Sequence, residues 1–325
     1  MGGMDTIDER SAWVRTVVER DFGVRLVDFL PIIGGLDHGA QVWFATDDAG
    51  APWSVKASRR DGRFGLALAS ALGDARAPGI AAPTRASDGR PWTEDSGLLV
   101  SLAPWIIGDD AVDSGEDALP WEEFGAVLRG VHDSAPPAGA VPPRRGIRRA
   151  QRPPAALLAE VDEHLTTELR DRLHALARAE RRLKRSRVPT ARVPVHGDPH
   201  PGNVVIDAHG SPWLIDFDEA TVAPREVDLL LVELGVIFAR PITDAQRRAF
   251  RAGYGETLID DERIARFGCV RAVEDVATTV LRSLAPARTP DEEEERRALL
   301  EGQLGPHGLV SLVETALDRL GQPAA

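Results

Sequence analysis

The sequence predicts an α+β chain, with an antiparallel sheet in the first third and a mainly helical remainder that carries a small β insertion. Three features lead there. Residues 24–58 hold three short apolar runs separated by turn residues, as strands joined by hairpins do. From about residue 121 apolar residues recur at helical spacing. Between 203 and 217 two brief apolar runs flank an Ala-His-Gly turn.

Taken in order, residues 9–22 read as a helix, with Trp13, Val14, Val17 and Val18 on one face. VRLVDFLPI, AQVWFAT and PWSVKAS read as strands, the last two joined by a DDAG turn. Residues 63–73 read as a helix, and the DGRPW turn at 88–92 leads to a further strand, GLLVSLAPW. Residues 121–133 are helical. APPAGAVPPRRGIRRAQRPP, rich in proline, glycine and arginine, reads as an irregular loop. The stretch 155–186 reads as strongly helical, ending in the basic run RAERRLKRSR. NVVID and SPWLIDF are short strands, and the chain from about 225 is mostly helical, with DEEEERR opening a surface helix. No internal repeat is present. A β-rich first third, a connecting strand and a helical remainder follow the order of a kinase-like bilobal protein.

Composition removes several function classes. Net charge is −12, which disfavours a nucleic-acid partner because phosphates would be repelled. No run of eighteen apolar residues occurs, so no membrane span is expected, and the N-terminal MGGMDTIDERSAW lacks the apolar core of a signal peptide. The single cysteine, Cys269, fits a cytoplasmic protein and reads as a packing residue. A monomer or weak dimer is expected. Of the 39 basic residues two are lysines, Lys56 and Lys184. Lys56 persists in an apolar stretch of an arginine-rich chain, which points to a site that needs a compact ammonium.

The chemistry concentrates in VPVHGDPHPGNVVIDAHGSPWLIDFDEA. Asp198 and Asn203 stand five apart, and Asp216 follows thirteen further on, after an apolar strand. A hairpin would bring Asn203 and Asp216 together. Phosphoryl transfer needs such a set: a carboxylate to orient an attacking hydroxyl and take its proton, and hard oxygen ligands to hold magnesium. Asp198 would be the base, and Asn203 and Asp216 the metal ligands. Asp and Asn also cap turns. His196, Asp198 and His200 alternate as H-x-D-x-H, which could ligate zinc from one strand, although Gly197, Pro199 and Pro201 oppose a regular strand there.

HGDPHPGN followed by LIDFDEA resembles the catalytic and metal loops of the aminoglycoside phosphotransferase family, relatives of the protein kinases. The family pattern is H-G-D-x-x-x-x-N, then I-D-W/F-x-x-A, then an Asp-Leu pair opening a helix, here Asp228-Leu229. DFDEATVAPREVDLLL is most similar to the spectinomycin-phosphotransferase branch. The resemblance implies a bilobal fold, with residues 1–103 as a nucleotide-binding N-lobe and 104–325 as a C-lobe with the catalytic loop, metal loop and acceptor pocket. It implies that Lys56 meets the α- and β-phosphates of ATP. It puts Gly34, Gly35 and Gly39 of IIGGLDHGAQVW at the phosphate loop. Leu102, Ala103 and Trp105 of LVSLAPWIIG would lie along the adenine, with Trp105 equally suited to a core. His196 would bond backbone in a tight loop, and Asp228 would steady the catalytic loop. One departure stands out. Kinase-like enzymes pair the lysine with a helix glutamate, and no glutamate occurs between Lys56 and Glu94. Either Asp61 or Asp74 substitutes, or Lys56 pairs with Asp216 and phosphate alone.

The expected activity is therefore magnesium-dependent transfer of the γ-phosphate of ATP to a hydroxyl of a small molecule. An aminoglycoside or aminocyclitol antibiotic is the candidate acceptor, and resistance the candidate role. A cationic acceptor would need carboxylates beside the base, for which Asp218, Glu219, Glu274 and Asp275 are the candidates. A bacterial Ser/Thr kinase is a second reading, weakened because the chain reaches Asp228 soon after Asp216 with no A-P-E segment between. A kinase-like binding module is a third.

Overall fold

Apolar alternation builds the first elements of the structure. This computed structural model describes residues 7–32, 39–143, 152–183, 190–235, 241–284 and 290–321. Helix α1 (Ile7–Phe22) buries Val14, Val17 and Val18. Strands β1 (Leu26–Pro31), β2 (Ala40–Asp47) and β3 (Pro52–Ser58) follow, then α2 (Arg63–Asp74), β4 (Thr93–Asp95) and β5 (Leu98–Pro104). Every second residue of these strands faces inward: Trp43 and Ala45, Val55 and Ala57, Val100 and Leu102 join the α1 valines in one core. The sheet is antiparallel, in the order β1-β2-β3-β5-β4, and its register sets Lys56 between Val42 and Ser101.

The chain continues through β6 (Gly108–Asp110), α3 (Ala111–Ser114), α4 (Trp121–Asp133), α5 (Pro154–Val161), α6 (Thr167–Leu183), β7 (Val193–Val195), β8 (Val204–Asp207), β9 (Pro212–Leu214) and β10 (Thr221–Ala223). It ends with α7 (Glu226–Leu234), α8 (Asp244–Tyr254), α9 (Asp261–Ser283), α10 (Pro290–Leu304) and α11 (Leu309–Arg319). Two compact units result. One comprises Met1–Pro142 with His196–Thr221, and the other Pro143–Val195 with Val222–Ala325.

In the first unit a small sheet of order β6-β8-β9 stands beside the five-stranded one. Segment 79–84 links them: the Leu214 amide donates to the Gly79 carbonyl at 2.7 Å, and the Thr84 amide to the Leu102 carbonyl at 2.7 Å. Asp207 shapes the β8–β9 turn. Its carboxylate accepts the amides of His209 and Ser211 and the indole N–H of Trp213, each at 2.9 Å. Asp47 does the same for β2–β3, accepting from Ala49, Ala51 and Trp53.

The second unit is helical around α9, whose buried face meets α5, α6 and α11. Ion pairs tie its helices: Arg266 to Glu180, Arg172 to Glu314, and Arg263 to the buried Glu226. The helical stretch read over 155–186 is covered by α5 and α6, with residues 184–186 outside the described residues. Leu165 is extended, Thr166 Oγ1 accepts the Leu169 amide at 3.3 Å, and Arg170 covers the carbonyls of Asp162 and Leu165. A side-chain cap competes successfully with the helix at that point. DEEEERR falls within α10, where Arg296 is buried. Among the described residues no helix is long and apolar enough to cross a membrane.

Candidate active site

The site residues of the first unit form one bonded network. The loop after β7 runs irregularly through His196–His200 and closes in a 3-10 turn at Pro201–Asn203. His196 is fully buried. Its Nε2 donates to the Ile215 carbonyl at 2.9 Å, and its Nδ1 accepts the Asp198 amide at 3.3 Å. With both ring nitrogens on backbone, the imidazole does not join Asp198 and His200 as a zinc ligand. Among the described residues no group of three His, Cys, Asp or Glu could hold a metal ion. Gly197 has φ +90°, and a Cβ there would collide with the Glu219 carbonyl oxygen, so this position requires glycine.

Asp198 is nearly buried. Its carbonyl accepts the His200 amide at 2.9 Å and the Asn203 side-chain amide at 2.9 Å. The second bond fixes the Asn203 orientation with Nδ2 on Asp198 and Oδ1 as the remaining acceptor. His200 Nδ1 accepts the Gly202 amide at 3.1 Å, and its Nε2 lies 3.8 Å from Asp198 Oδ2. The Ile215 amide donates to the Asn203 carbonyl at 3.0 Å, which carries the β8–β9 hairpin on to Asp216.

Asp216 has left-handed backbone, φ 59° and ψ 71°, and caps a 3-10 turn, Phe217–Glu219. Asp is among the residues that visit this region most readily. Its Oδ1 accepts the Asp218 amide at 3.3 Å and lies 2.9 Å from Lys56 Nζ. Lys56 Nζ lies 2.9 Å from Asp218 Oδ2 as well. Burial opposes both charges, and attraction overcomes it: the two carboxylates raise the Lys56 ammonium above its ordinary value, and Lys56 with His196 holds Asp216 below its own. Phe217 packs edge-on against His196, ring centres 4.6 Å apart. Glu219 is buried and pairs with Arg60 at 3.0 Å.

Lys56, His196, Asp198, Asn203, Asp216, Asp218 and Glu219 thus come together in the first unit. Gly34 and Gly35 lie outside the described residues, while the Gly39 carbonyl accepts the Arg59 amide. Along the expected adenine strand, Leu102 is core and its carbonyl accepts from Thr84; the Trp105 amide donates to the Pro52 carbonyl at 3.0 Å, and its ring meets Phe44 edge-on. Glu274, Asp275 and Asp228 belong to the second unit. Glu274 is buried, Asp275 accepts Arg271 Nε at 2.8 Å, and Asp228 is buried in the first turn of α7.

Lys56 pairs with Asp216, one of the two expected arrangements, and with a second carboxylate, Asp218, that the sequence did not announce. Asp61 is bonded to Arg63 and Asp74 to Arg85, so neither of those candidates supplies it. The absence of glutamate between Lys56 and Glu94 was the available signal.

A five-stranded antiparallel sheet with a lysine on its third strand, followed by helices and a hairpin that carries an aspartate at its end, is the α+β fold of kinase-like enzymes. The chain belongs to the phosphotransferase enzyme family, whose profile matches residues 32–267. No curated protein matches it. Solved structures are similar in fold. Spectinomycin phosphotransferase APH(9)-Ia, in complex with ADP and spectinomycin, has a TM-score of 0.73 at 19% identity, over 94% of this chain and 98% of that one. Amicoumacin kinase hAmiN, in complex with AMP-PNP and Ca2+, has a TM-score of 0.62 at 16% identity, over 93% and 98%. Macrolide 2'-phosphotransferase MphH from Brachybacterium faecium has 0.54 at 18%, over 89% and 97%.

Proposed function

We propose that the protein transfers the γ-phosphate of ATP, with magnesium, to a hydroxyl of a small molecule. An aminoglycoside or aminocyclitol antibiotic is the first acceptor class to test, and the cytoplasm is the proposed compartment. The observation that carries this reading is the single network joining Asp198, Asn203, Asp216 and Lys56. Its donors suit a hard cation, because Asn203 presents Oδ1 and Asp216 a carboxylate. Bound MgATP would supply the phosphoryl group and neutralise its developing charge. The protein's own residues do the rest. Asp198, nearly buried and fixed through its carbonyl by Asn203, orients the acceptor hydroxyl and takes its proton at the carboxylate. Lys56 meets the nucleotide's phosphates. Residues 1–103 would hold the nucleotide, with the phosphate loop over Gly34, Gly35 and Gly39, and 104–325 would carry the acceptor pocket.

A cationic acceptor would have to share Glu219 with Arg60 and Asp275 with Arg271. This makes a charged acceptor a separate question from the transfer itself. The deciding experiment is an acceptor screen read as ADP release, with spectinomycin, other aminocyclitols, macrolides and neutral sugars in parallel arms. Acceptor-dependent ADP release that falls by at least about 100-fold in Asp198→Asn supports the reading, on the scale of losing a general base. Release that no acceptor stimulates, or that survives the substitution, overturns it.

A further inference from the structure

We propose that Asp218 does the work of the helix glutamate that kinase-like enzymes set against their phosphate-binding lysine, and so positions Lys56 for the nucleotide. The inference rests on the phosphotransferase reading above. It starts from α2, the helix that should carry the glutamate. This helix holds no glutamate, and its first turn lies tight against the Phe217–Glu219 turn. A Cβ on Gly65 would collide with the Phe217 carbonyl oxygen, and a Cβ on Gly62 would stand 3.2 Å from Asp218 Oδ1. Where a side chain would reach out from the helix, backbone meets backbone, and the carboxylate comes from the loop instead.

Local conformation explains how the loop delivers it. The left-handed Asp216 and the turn after it bring the carboxylates of Asp216 and Asp218 to the same ammonium, each at 2.9 Å from Lys56 Nζ. Their surroundings differ. The Asp216 side chain is 41% exposed, whereas Asp218 is 17% and Lys56 19% exposed. The outer carboxylate is therefore open to an incoming ion, and the inner one is set against the lysine and the start of α2. Asp218 is a positioning residue: it acts on phosphate through Lys56. It is also displaced from the acceptor role that its place in the sequence invites.

A double-mutant cycle tests this with Mg-AMP-PNP titrated into the full chain, and with adenosine as a probe that has no phosphate. Asp218→Asn should weaken Mg-AMP-PNP by about tenfold, the scale of one lost charged contact, and leave adenosine within about twofold. Lys56→Met should weaken Mg-AMP-PNP too, and adding Asp218→Asn to it should bring almost no further loss. Asp218→Ser serves if the asparagine variant does not fold, with adenosine affinity as the check on folding. Losses that add in the double variant overturn the proposal, because a metal ligand would act without Lys56. An effect confined to the acceptor's KM, or unchanged Mg-AMP-PNP affinity, overturns it too. Should the wild-type chain fail to bind Mg-AMP-PNP, the nucleotide reading falls and takes the inference with it; if only the variants behave as wild type, the inference alone falls.

Discussion

The left-handed backbone of Asp216 turns its carboxylate back over the amide of Asp218 and toward Lys56. A non-glycine residue in that region costs about 1 kcal/mol or more, and such strain persists where its surroundings fix it. Here those surroundings are Lys56, the Asp218 amide and the Asn203–Ile215 bond. Asp216→Ala should therefore remove Mg-AMP-PNP binding in calorimetric titration, while Asn203→Ala weakens it; full affinity in Asp216→Ala would remove the metal assignment. That Asp198, Asn203 and Asp216 would lie together was legible in the sequence because their spacing is local. The pairing of Asp218 with Lys56 was not. Asp218 and Glu219 look alike as letters, and only the turn at Phe217–Glu219 sets one against Lys56 and the other against Arg60.

At the scale of elements, contact between α2 and the Phe217–Glu219 turn depends on a missing side chain. Gly65→Ala should push the two apart at about 1–3 kcal/mol, the usual price of overpacking. The measurement is a lower thermal midpoint together with weaker Mg-AMP-PNP binding, whereas Gly130→Ala, whose Cβ meets nothing, should lower neither. The two hairpin turns share one device. Asp47 and Asp207 each accept an indole N–H from the tryptophan six positions on, together with turn amides, and these bonds hold both carboxylates below the ordinary 3.8. A depressed carboxylate contributes stability that is complete above its unfolded value and lost as pH falls through the folded one. Asp207→Ala should thus lower the thermal midpoint at pH 7 and lower it by less and less as pH falls below 3.8; a loss independent of pH would exclude the charge. Strong periodicity made β2, β3 and α4 readable in advance. The three-residue strands β6, β7 and β10 carry no period to read, and the break at Thr166 depends on caps that compete with a good helical pattern.

At the scale of the molecule, each unit has a core of its own, one of alternating strand residues under α1 and one of helix faces around α9. The order of elements was enough to foresee an α+β chain with a β-rich beginning. It could not foresee that His196–Thr221 would join the first unit, since that segment meets β3 through the Lys56 ion pairs and α2 through a close backbone approach at Gly65, contacts far apart in sequence. The helical core also encloses the chain's one thiol. Cys269 has no exposed surface, follows Gly268, which packs tightly against α7 and α11, and burial pushes it up to about 12. Thiolate is the reactive species, so Ellman's reagent can reach this cysteine only when the helices part. The colour reaction thereby becomes a clock for breathing of the helical unit alone, with no label to engineer and no second thiol to confuse it. It should run far more slowly in native buffer than in guanidinium chloride, and Gly268→Ala, whose Cβ would stand 2.7 Å from Val313, should speed it.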